Sequence, residues 1–159
     1  MEYLHAHWRM PYIDQSKDSL IHHTFLDLLN NPDEEKSLLL LKTPLSFVVL
    51  NKYPYNPGHL LVLPRREIQS LGQLTGEEQD DFFKTIVRCE GILHHALHPD
   101  GINIGINLGA SAGAGIPQHL HCHLVPRWNG DTNFMPVIGE TKILPMALEH
   151  LWKKMREFV

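Results

Sequence analysis

The chain has 159 residues, of which 43% are hydrophobic and 20% charged, and this is the composition of a soluble globular protein with a sizeable core. Its formal net charge of −4 gives no broad attraction for nucleic acid, and no apolar run approaches the roughly 18–20 residues of a membrane span. The two cysteines, Cys89 and Cys122, are too few for a disulfide framework, and the N-terminus lacks a signal-peptide core, so we expect a cytoplasmic protein.

The first half of the chain predicts an extended arm, a short helix and three strands. Residues 1–15 mix aromatic and charged side chains without a period, which favours an extended N-terminal arm. A short amphipathic helix is predicted from Ser19 to about Leu29, where Asn30-Asn31-Pro32 ends it. Three apolar runs separated by turn and loop residues then predict strands at Leu38–Leu41, Ser46–Leu50 and Leu60–Leu63.

The second half predicts the longest helix, two further strands and a C-terminal helix. Thr75 and Glu78 form a capping-box pattern, and apolar residues then recur at helical spacing until Pro99. Loose alternation over Ile102–Leu108 predicts a strand, the histidine-rich segment predicts the next, and residues 143–158 carry the apolar stripe of a C-terminal helix. About five mostly antiparallel strands with one long helix predict a single α+β domain over residues 1–159.

Three histidines in the segment Gln118–Trp128 alternate with apolar residues, and we refer to them as the triad: His119, His121 and His123. Because side chains alternate between the two faces of a β-strand, this spacing predicts that the three imidazoles share one face. The intervening apolar residues then face the core. Three adjacent imidazoles are costly to bury, because each has two polar nitrogens that need partners. The arrangement therefore favours a functional site over a half-exposed strand.

A catalytic zinc site is an alternative interpretation of the triad, since three imidazoles can hold zinc with one coordination position open. Same-face neighbours on one strand lie roughly 6.5–7 Å apart, so three rings in a straight row converge poorly on a single ion. No acidic residue lies close by in the sequence to orient the rings. We therefore predict no metal site and favour covalent catalysis by a neutral imidazole.

The triad segment, His-Leu-His-Cys-His-Leu-Val, resembles the signature of the histidine-triad (HIT) family. The segment Asn51–His59 resembles the upstream element of that family, and the segment Gly105–Gly115 resembles its glycine-rich loop. With the stretch Trp8–Ile13 and the Pro-Arg-Trp after the triad, the pattern most resembles the bacterial diadenosine tetraphosphate phosphorylase branch. The resemblance spans residues 8–158 and implies a HIT-like α+β fold that pairs into a homodimer with a continuous sheet.

The resemblance also implies a reaction carried by four histidines. His121 is the expected nucleophile, which attacks an α-phosphate and carries the nucleotidyl group while the backbone carbonyl of His119 holds its ring proton. The side chains of His119, His123 and His59 are expected to stabilise charge on the phosphate and to protonate the leaving group. The covalent intermediate is then passed to water or to phosphate, and the resemblance favours phosphate.

The candidate nucleotide-binding residues come from the same upstream segment and from the glycine-rich loop. Asn51 is expected to meet the ribose hydroxyls, or else to form a turn at a strand end. Asn107 begins a run through Gly113 to Gly115 whose backbone N–H groups can approach phosphates with little steric hindrance. Gly115 stands where related enzymes often carry Gln or Ser, so we expect a weak phosphate site.

Two residues that flank the triad complete the candidate site. Gln118 could supply the side-chain donor that Gly115 lacks, although strand alternation points its side chain away from the triad face. Trp128 could stack on an adenine or pack at the edge of a dimer.

Two functions of different classes follow from this site. The first is an enzyme that cleaves dinucleoside polyphosphates of the diadenosine tetraphosphate type at an α-phosphate, by phosphorolysis or hydrolysis, through a nucleotidyl-histidine intermediate. The second is a nucleotide-binding module with little turnover. Neither function requires a cofactor, although a divalent metal such as Mg²⁺ can accompany the polyphosphate. The expected partners are an adenine nucleotide and a second copy of the chain, with no nucleic acid and no membrane.

Overall fold

The computed structural model describes residues 25–134, 138–139 and 145–159. Its helices α1, α2 and α3 span Phe25–Asn30, Gly76–Leu97 and Leu148–Arg156. The predicted arm over residues 1–15 lies outside the described residues, as do the first turns of the predicted helix from Ser19 and the start of the predicted C-terminal helix at 143–144. No helix within the described ranges is both long and apolar enough to cross a membrane.

Five strands form one antiparallel sheet in the order β1-β2-β3-β5-β4. They span Leu39–Lys42 (β1), Ser46–Leu50 (β2), Leu60–Pro64 (β3), Gly101–Ile106 (β4) and Cys122–Arg127 (β5). The predicted α+β fold, with an antiparallel sheet and one long helix, is confirmed. The strand predicted over Ile102–Leu108 corresponds to β4, and it pairs antiparallel with the triad strand β5 as expected.

The central strands β2 and β3 are buried at every residue, so both faces of the sheet are covered. One face packs against α2 and α3, and Cys122 and Leu124 of β5 point into this core as predicted. The opposite face packs against Phe25 of α1 and includes Leu61 of β3. His123 is the cross-strand partner of Leu61 and therefore lies on the face that carries α1. This alternation separates the chemistry of β5 from its core contacts.

Helix α2 begins and ends where the sequence predicts. The backbone N–H of Glu78 donates to the Thr75 hydroxyl at 3.2 Å, and the Glu78 carboxylate accepts from the Thr75 N–H at 2.8 Å, which completes the capping box. The helix ends at Leu97, and the C-cap residue His98 has a φ of 49°, which is in the left-handed region. Its inward stripe, which includes Ile86 and Leu93, covers the face of the sheet opposite the triad.

The triad strand begins later than the sequence predicts. The histidine spacing predicts one strand that includes all three triad residues, whereas β5 starts only after His121. The reason lies in the neighbouring strand, because β3 ends at Pro64, which has no N–H to donate to a continued ladder. The backbone N–H of Leu120 donates to the Ile68 carbonyl instead. The first two triad histidines therefore lie on the approach to β5 and not within the ladder.

The two edges of the sheet differ in how they are covered. At the β1 edge, the indole N–H of Trp152 donates to the Leu39 carbonyl at 2.9 Å, and the guanidinium of Arg156 donates to the Leu40 carbonyl. These side chains of α3 satisfy groups that would otherwise be a template for pairing. At the other edge, the residues Asn103–Gly105 of β4 are exposed. Side chains of α3 thus cover the β1 edge, while the β4 edge is exposed.

Candidate active site

The first triad histidine is buried and has a defined tautomer. His119 is 2% exposed, and its Nε2–H donates to the backbone carbonyl of Pro64 at 2.8 Å. A carbonyl only accepts, so the proton of the neutral ring sits on Nε2. Burial lowers the pKa of His119, which keeps the ring neutral at physiological pH. The side chain thus ties the approach to β5 to the end of β3.

The second triad histidine presents an unprotonated nitrogen. The Nδ1–H of His121 donates to the backbone carbonyl of His119 at 2.8 Å, so the lone pair of the neutral ring is on Nε2. Burial lowers the pKa of His121, whose side chain is largely covered, and this favours the neutral form. The acceptor is the carbonyl that the sequence resemblance implies. A neutral imidazole in this tautomer has the electronic form that nucleophilic attack requires.

A chain of hydrogen bonds defines the protonation of the third triad histidine. The backbone N–H of Tyr55 donates to Nδ1 of His59 at 3.1 Å, and the carboxamide nitrogen of Asn51 faces the same atom at 3.3 Å. Because Nδ1 accepts, the proton of His59 lies on Nε2, which donates to Nδ1 of His123 at 2.9 Å. A neutral His123 therefore carries its own proton on Nε2. His121 and His123 thus present opposite functions, a lone pair and a donor.

Two aromatic side chains pack against the four histidines. The ring of Phe25 meets His119 edge-on and His121 at a tilt, with centroids 5.7 and 5.5 Å apart. The ring of Tyr55 stacks on His123 at 5.8 Å and lies 4.7 Å from His59. Such apolar cover excludes water and strengthens the electrostatic interactions beneath it. The sequence pattern indicated neither role, because Phe25 falls within the predicted amphipathic helix and Tyr55 within the predicted loop between two strands.

An ion-pair network holds the loop that carries Tyr55. The carboxamide of Asn56 donates to the Pro126 carbonyl at 2.9 Å and to the Asp131 carboxylate at 2.7 Å. Asp131 also accepts from Nε and Nη2 of Arg127 at 2.6 and 3.0 Å, and these donors hold the pKa of its carboxyl well below the usual value. The spacing of Arg127 and Asp131 in the sequence hints at this pair. Nothing local in the sequence points to Asn56, which lies 75 residues away.

The glycine-rich loop uses part of its backbone for its own fold. A 3-10 helix over Ala110–Ala112 forms within it, and the N–H groups of Ala112, Gly113 and Ala114 donate to carbonyls of the same loop. These three N–H groups are therefore engaged within the loop, and the contact of the run with phosphate stays a prediction. Gly113 adopts a φ of 91°, which favours glycine. Its backbone lies beside the carboxamide of Asn107, which lines a cavity next to the triad.

The other predicted nucleotide contacts differ in placement. Asn51 accepts a hydrogen bond from the Tyr53 N–H at 2.9 Å, which is the turn-forming alternative, and its nitrogen reaches the site. Gln118 is exposed in a turn before β5, so the expected strand alternation does not apply to it, and Gly115 lies in the preceding bend. The indole N–H of Trp128 donates to the backbone carbonyl of His98 at 3.2 Å, which holds the indole ring at the C-terminal end of α2.

The histidines are arranged for hydrogen bonding to each other and to the backbone. Each triad ring has one nitrogen bonded to a carbonyl or to another imidazole. Within the part of the chain that the structure describes, no group of three His, Cys, Asp or Glu side chains is placed to hold a metal ion. The hydrogen bonds leave the site with a lone pair on Nε2 of His121 beside the ring of His123.

Comparison with known proteins assigns the family. The HIT domain model matches residues 33–130. An AP-4-A phosphorylase from Mycobacterium tuberculosis is 40% identical over 115 residues, which cover 72% of this chain and 59% of that protein. An asymmetrical bis(5'-nucleosyl)-tetraphosphatase from Schizosaccharomyces pombe is 35% identical over 95 residues, which cover 60% of this chain and 52% of that protein. The chain thus spans only between half and three fifths of the length of these relatives.

A solved structure shows the same architecture. A hypothetical histidine triad nucleotide-binding protein from Sulfolobus tokodaii superposes with a TM-score of 0.69 at 25% identity, covering 86% of this chain and 91% of that one. The identity of 40% to the mycobacterial protein confirms the resemblance to the phosphorylase branch. With the family match over residues 33–130 and the geometry of the triad, the chain belongs to the HIT domain family.

Proposed function

We propose that the chain is a nucleotidyl-transferring enzyme that cleaves dinucleoside polyphosphates of the diadenosine tetraphosphate type at an α-phosphate. The observation that carries this proposal is the tautomer of His121, whose Nδ1–H is bonded to the His119 carbonyl and whose Nε2 therefore bears the lone pair. The names of the mycobacterial and yeast relatives, a phosphorylase and a tetraphosphatase, support the substrate class.

The proposed reaction consists of two displacements at phosphorus. First, Nε2 of His121 bonds to the α-phosphorus while the bond to the bridging oxygen breaks, and the electron pair leaves with the departing nucleotide. The Nε2–H of His123 stabilises the charge that develops on the phosphoryl oxygens. Water or phosphate then attacks the same phosphorus and loses its proton to solvent, and the P–N bond breaks to return the lone pair to His121. His59 and His119 act by holding these two rings in their tautomers.

We infer that phosphate is the preferred acceptor. The 40% identical relative is named a phosphorylase, whereas the 35% identical relative is named a tetraphosphatase. With phosphate as acceptor, diadenosine tetraphosphate gives ADP and ATP, while water gives AMP and ATP. Because three loop amides are used internally, the acceptor site is weak and requires a high phosphate concentration. Chromatography of the products at rising phosphate tests this, and AMP as the sole partner of ATP throughout would identify a hydrolase.

A nucleotide-binding role with slow turnover is the second candidate, and the burial of the nucleophile favours it. His121 is 5% exposed and packs against Phe25, so only a small part of its ring is open to a phosphate. Rapid-quench kinetics with diadenosine tetraphosphate separates the two functions. An adenylylated protein that forms and decays at the rate of turnover supports the enzyme, whereas tight binding with no adenylylated protein supports the binding module.

We propose that two copies of the chain pair through β4. The opposite edge of the sheet is sealed by α3, while Ile104 on β4 is 48% exposed. An exposed edge strand with a large apolar side chain is a template for antiparallel pairing, and such pairing would make the sheet continuous across the dimer. Sedimentation of the protein and of Ile104→Asp tests the interface, since only the wild type is expected at twice the chain mass.

We also infer the setting in which the domain works. Residues 1–159 form one functional domain. Asp131, a carboxylate beside the triad, is already bonded to Arg127, so we expect Mg²⁺ to arrive bound to the phosphates of the nucleotide substrate. Both cysteines are buried and reduced, which suits the cytoplasm. Titration of turnover with Mg²⁺ and a chelator tests the metal, because a substrate counter-ion changes the affinity for the nucleotide and leaves the fold unaffected.

A further inference from the structure

A cavity of about 400 Å³ lies beside the third triad histidine, and we call it the groove. Its lining comes from β4, β5, the turn after β5, the glycine-rich loop and the loop before β3, and includes Tyr55, Asn103, Asn107, His123 and Arg127. Neither His119 nor His121 lines it. We propose that the groove binds the polyphosphate of the departing nucleotide and that Asn103 is the donor that selects for it. This inference rests on the proposed function.

The direction of the reaction leads the leaving group into the groove. Displacement at phosphorus places the attacking and leaving atoms in line, so the departing oxygen lies on the side of the phosphorus away from His121. Phe25 packs against one side of the His121 ring. On another side, the ring of His123 lies 4.9 Å from that of His121. The groove opens beside His123, and the acceptor that replaces the leaving group must later enter by the same route.

The charges of the groove suit an anion that must depart. Its lining contains one cation and one carboxylate, Arg127 and Asp131, and they form a bidentate ion pair at 2.6 and 3.0 Å. The remaining polar lining includes the carboxamides of Asn103 and Asn107. Neutral donors bind phosphate oxygens without the strong retention that a cluster of unpaired cations would cause. The groove can therefore hold the polyphosphate during cleavage and release it afterwards.

Asn103 is oriented as a donor toward this space. Its carboxamide oxygen accepts a hydrogen bond from Nη1 of Arg127 at 3.0 Å, and that guanidinium is itself held by Asp131. With the oxygen engaged, the amide nitrogen is the atom left to face a ligand. The register of the sheet places Asn103 opposite Val125, two residues along β5 from His123, so the side chains of Asn103 and His123 lie on the same face of the sheet.

The test compares two substrates that differ only in the leaving group. Diadenosine tetraphosphate has a polyphosphate leaving group, whereas the p-nitrophenyl ester of AMP has none. Asn103→Asp replaces the donor by a carboxylate that repels phosphate and still accepts from Arg127, so the variant keeps its structural contact. Asn31→Asp is the matched control, since its side-chain oxygen accepts from the Asp33 N–H at 2.9 Å, as a carboxylate also does, and does not line the groove.

We expect Asn103→Asp to lower the ratio of kcat/KM for the tetraphosphate to kcat/KM for the ester by roughly tenfold to a hundredfold. Asn103→Ala, which removes the donor without adding charge, should lower the ratio by a smaller factor, and Asn31→Asp should leave it unchanged. A ratio that stays at the wild-type value in both Asn103 variants would overturn the groove assignment. If the wild type turns over neither substrate, the proposed function itself is wrong. Sedimentation of each variant shows that the change does not arise from altered association through β4.

Discussion

Asp131 offers a direct test of how the fold positions the histidines. Its carboxylate is the common acceptor for Asn56 and Arg127, and Asn56 adjoins Tyr55, whose N–H holds His59 in its tautomer. In Asp131→Asn, one carboxylate oxygen becomes an amide nitrogen, which cannot accept hydrogen bonds from the N–H donors that face it. We expect the loop before β3 to shift and the stack of Tyr55 on the histidines to loosen. The substitution should therefore lower both stability and turnover.

The size of the effect follows from the exposure of each partner. The side chain of Arg127 is 47% exposed, so its ion pair contributes no more than about 1 kcal/mol. Asn56 is 4% exposed, and loss of a partner for a buried carboxamide costs about 1–3 kcal/mol. We therefore expect the free energy of unfolding to fall by about 2–3 kcal/mol. A displacement of the donors by a fraction of an ångström should lower kcat roughly tenfold or more while KM changes less.

Urea unfolding followed by circular dichroism, together with steady-state kinetics, measures both effects. Because the pKa of Asp131 is depressed in the folded state, its contribution is present above the ordinary carboxyl pKa of about 4 and is lost as the pH falls toward the folded value. The stability gap between wild type and variant should accordingly shrink at acidic pH. Asp80→Asn removes an exposed pair with Lys84 on α2 and should change little. A variant of Asp131 with native stability and native kcat would refute the reasoning.

Two further predictions concern His121, the proposed nucleophile. His121→Ala should abolish turnover while the affinity for nucleotide stays within roughly threefold, because a nucleophile acts on the chemical step more than on ground-state binding. Near-native turnover in this variant would rule out the covalent mechanism. Phe25→Ala removes the ring whose contact buries His121, so the lowered pKa of His121 should rise. The acidic limb of the pH profile of kcat/KM should then move to higher pH. An acidic limb that stays in place or moves to lower pH would show that burial by Phe25 does not lower this pKa.

The sequence predicted the parts of the site that depend on local order. Alternation placed the apolar neighbours of the triad in the core, and the capping box of Thr75 and Glu78 located the start of α2. Both patterns arise from the fixed geometry of a strand or a helix over a few residues, so they can be read without the fold. The family signature is local for the same reason.

Tertiary structure alone decided where β5 begins and which ring nitrogens of His59, His119 and His123 carry protons. The carbonyl of Pro64, which accepts from His119, is 55 residues away in the chain, and the donor to His123 is on His59, 64 residues away. The alternation of side chains could not show that His119 and His121 precede the first paired residue of β5, because the start of pairing depends on Pro64 in another strand. Long-range partners of this kind are absent from any sequence window.

The cover over the site was likewise decided by packing. Phe25 meets the triad only because α1 lies across the face opposite α2, and Asn56 meets Asp131 only because β3 and β5 are neighbours in the sheet. The sequence by itself determined which residue types are available and the faces on which they alternate. Sheet order and helix placement determined which of them meet, because hydrogen bonds and ring contacts act over a few ångströms of space and carry no record of separation along the chain.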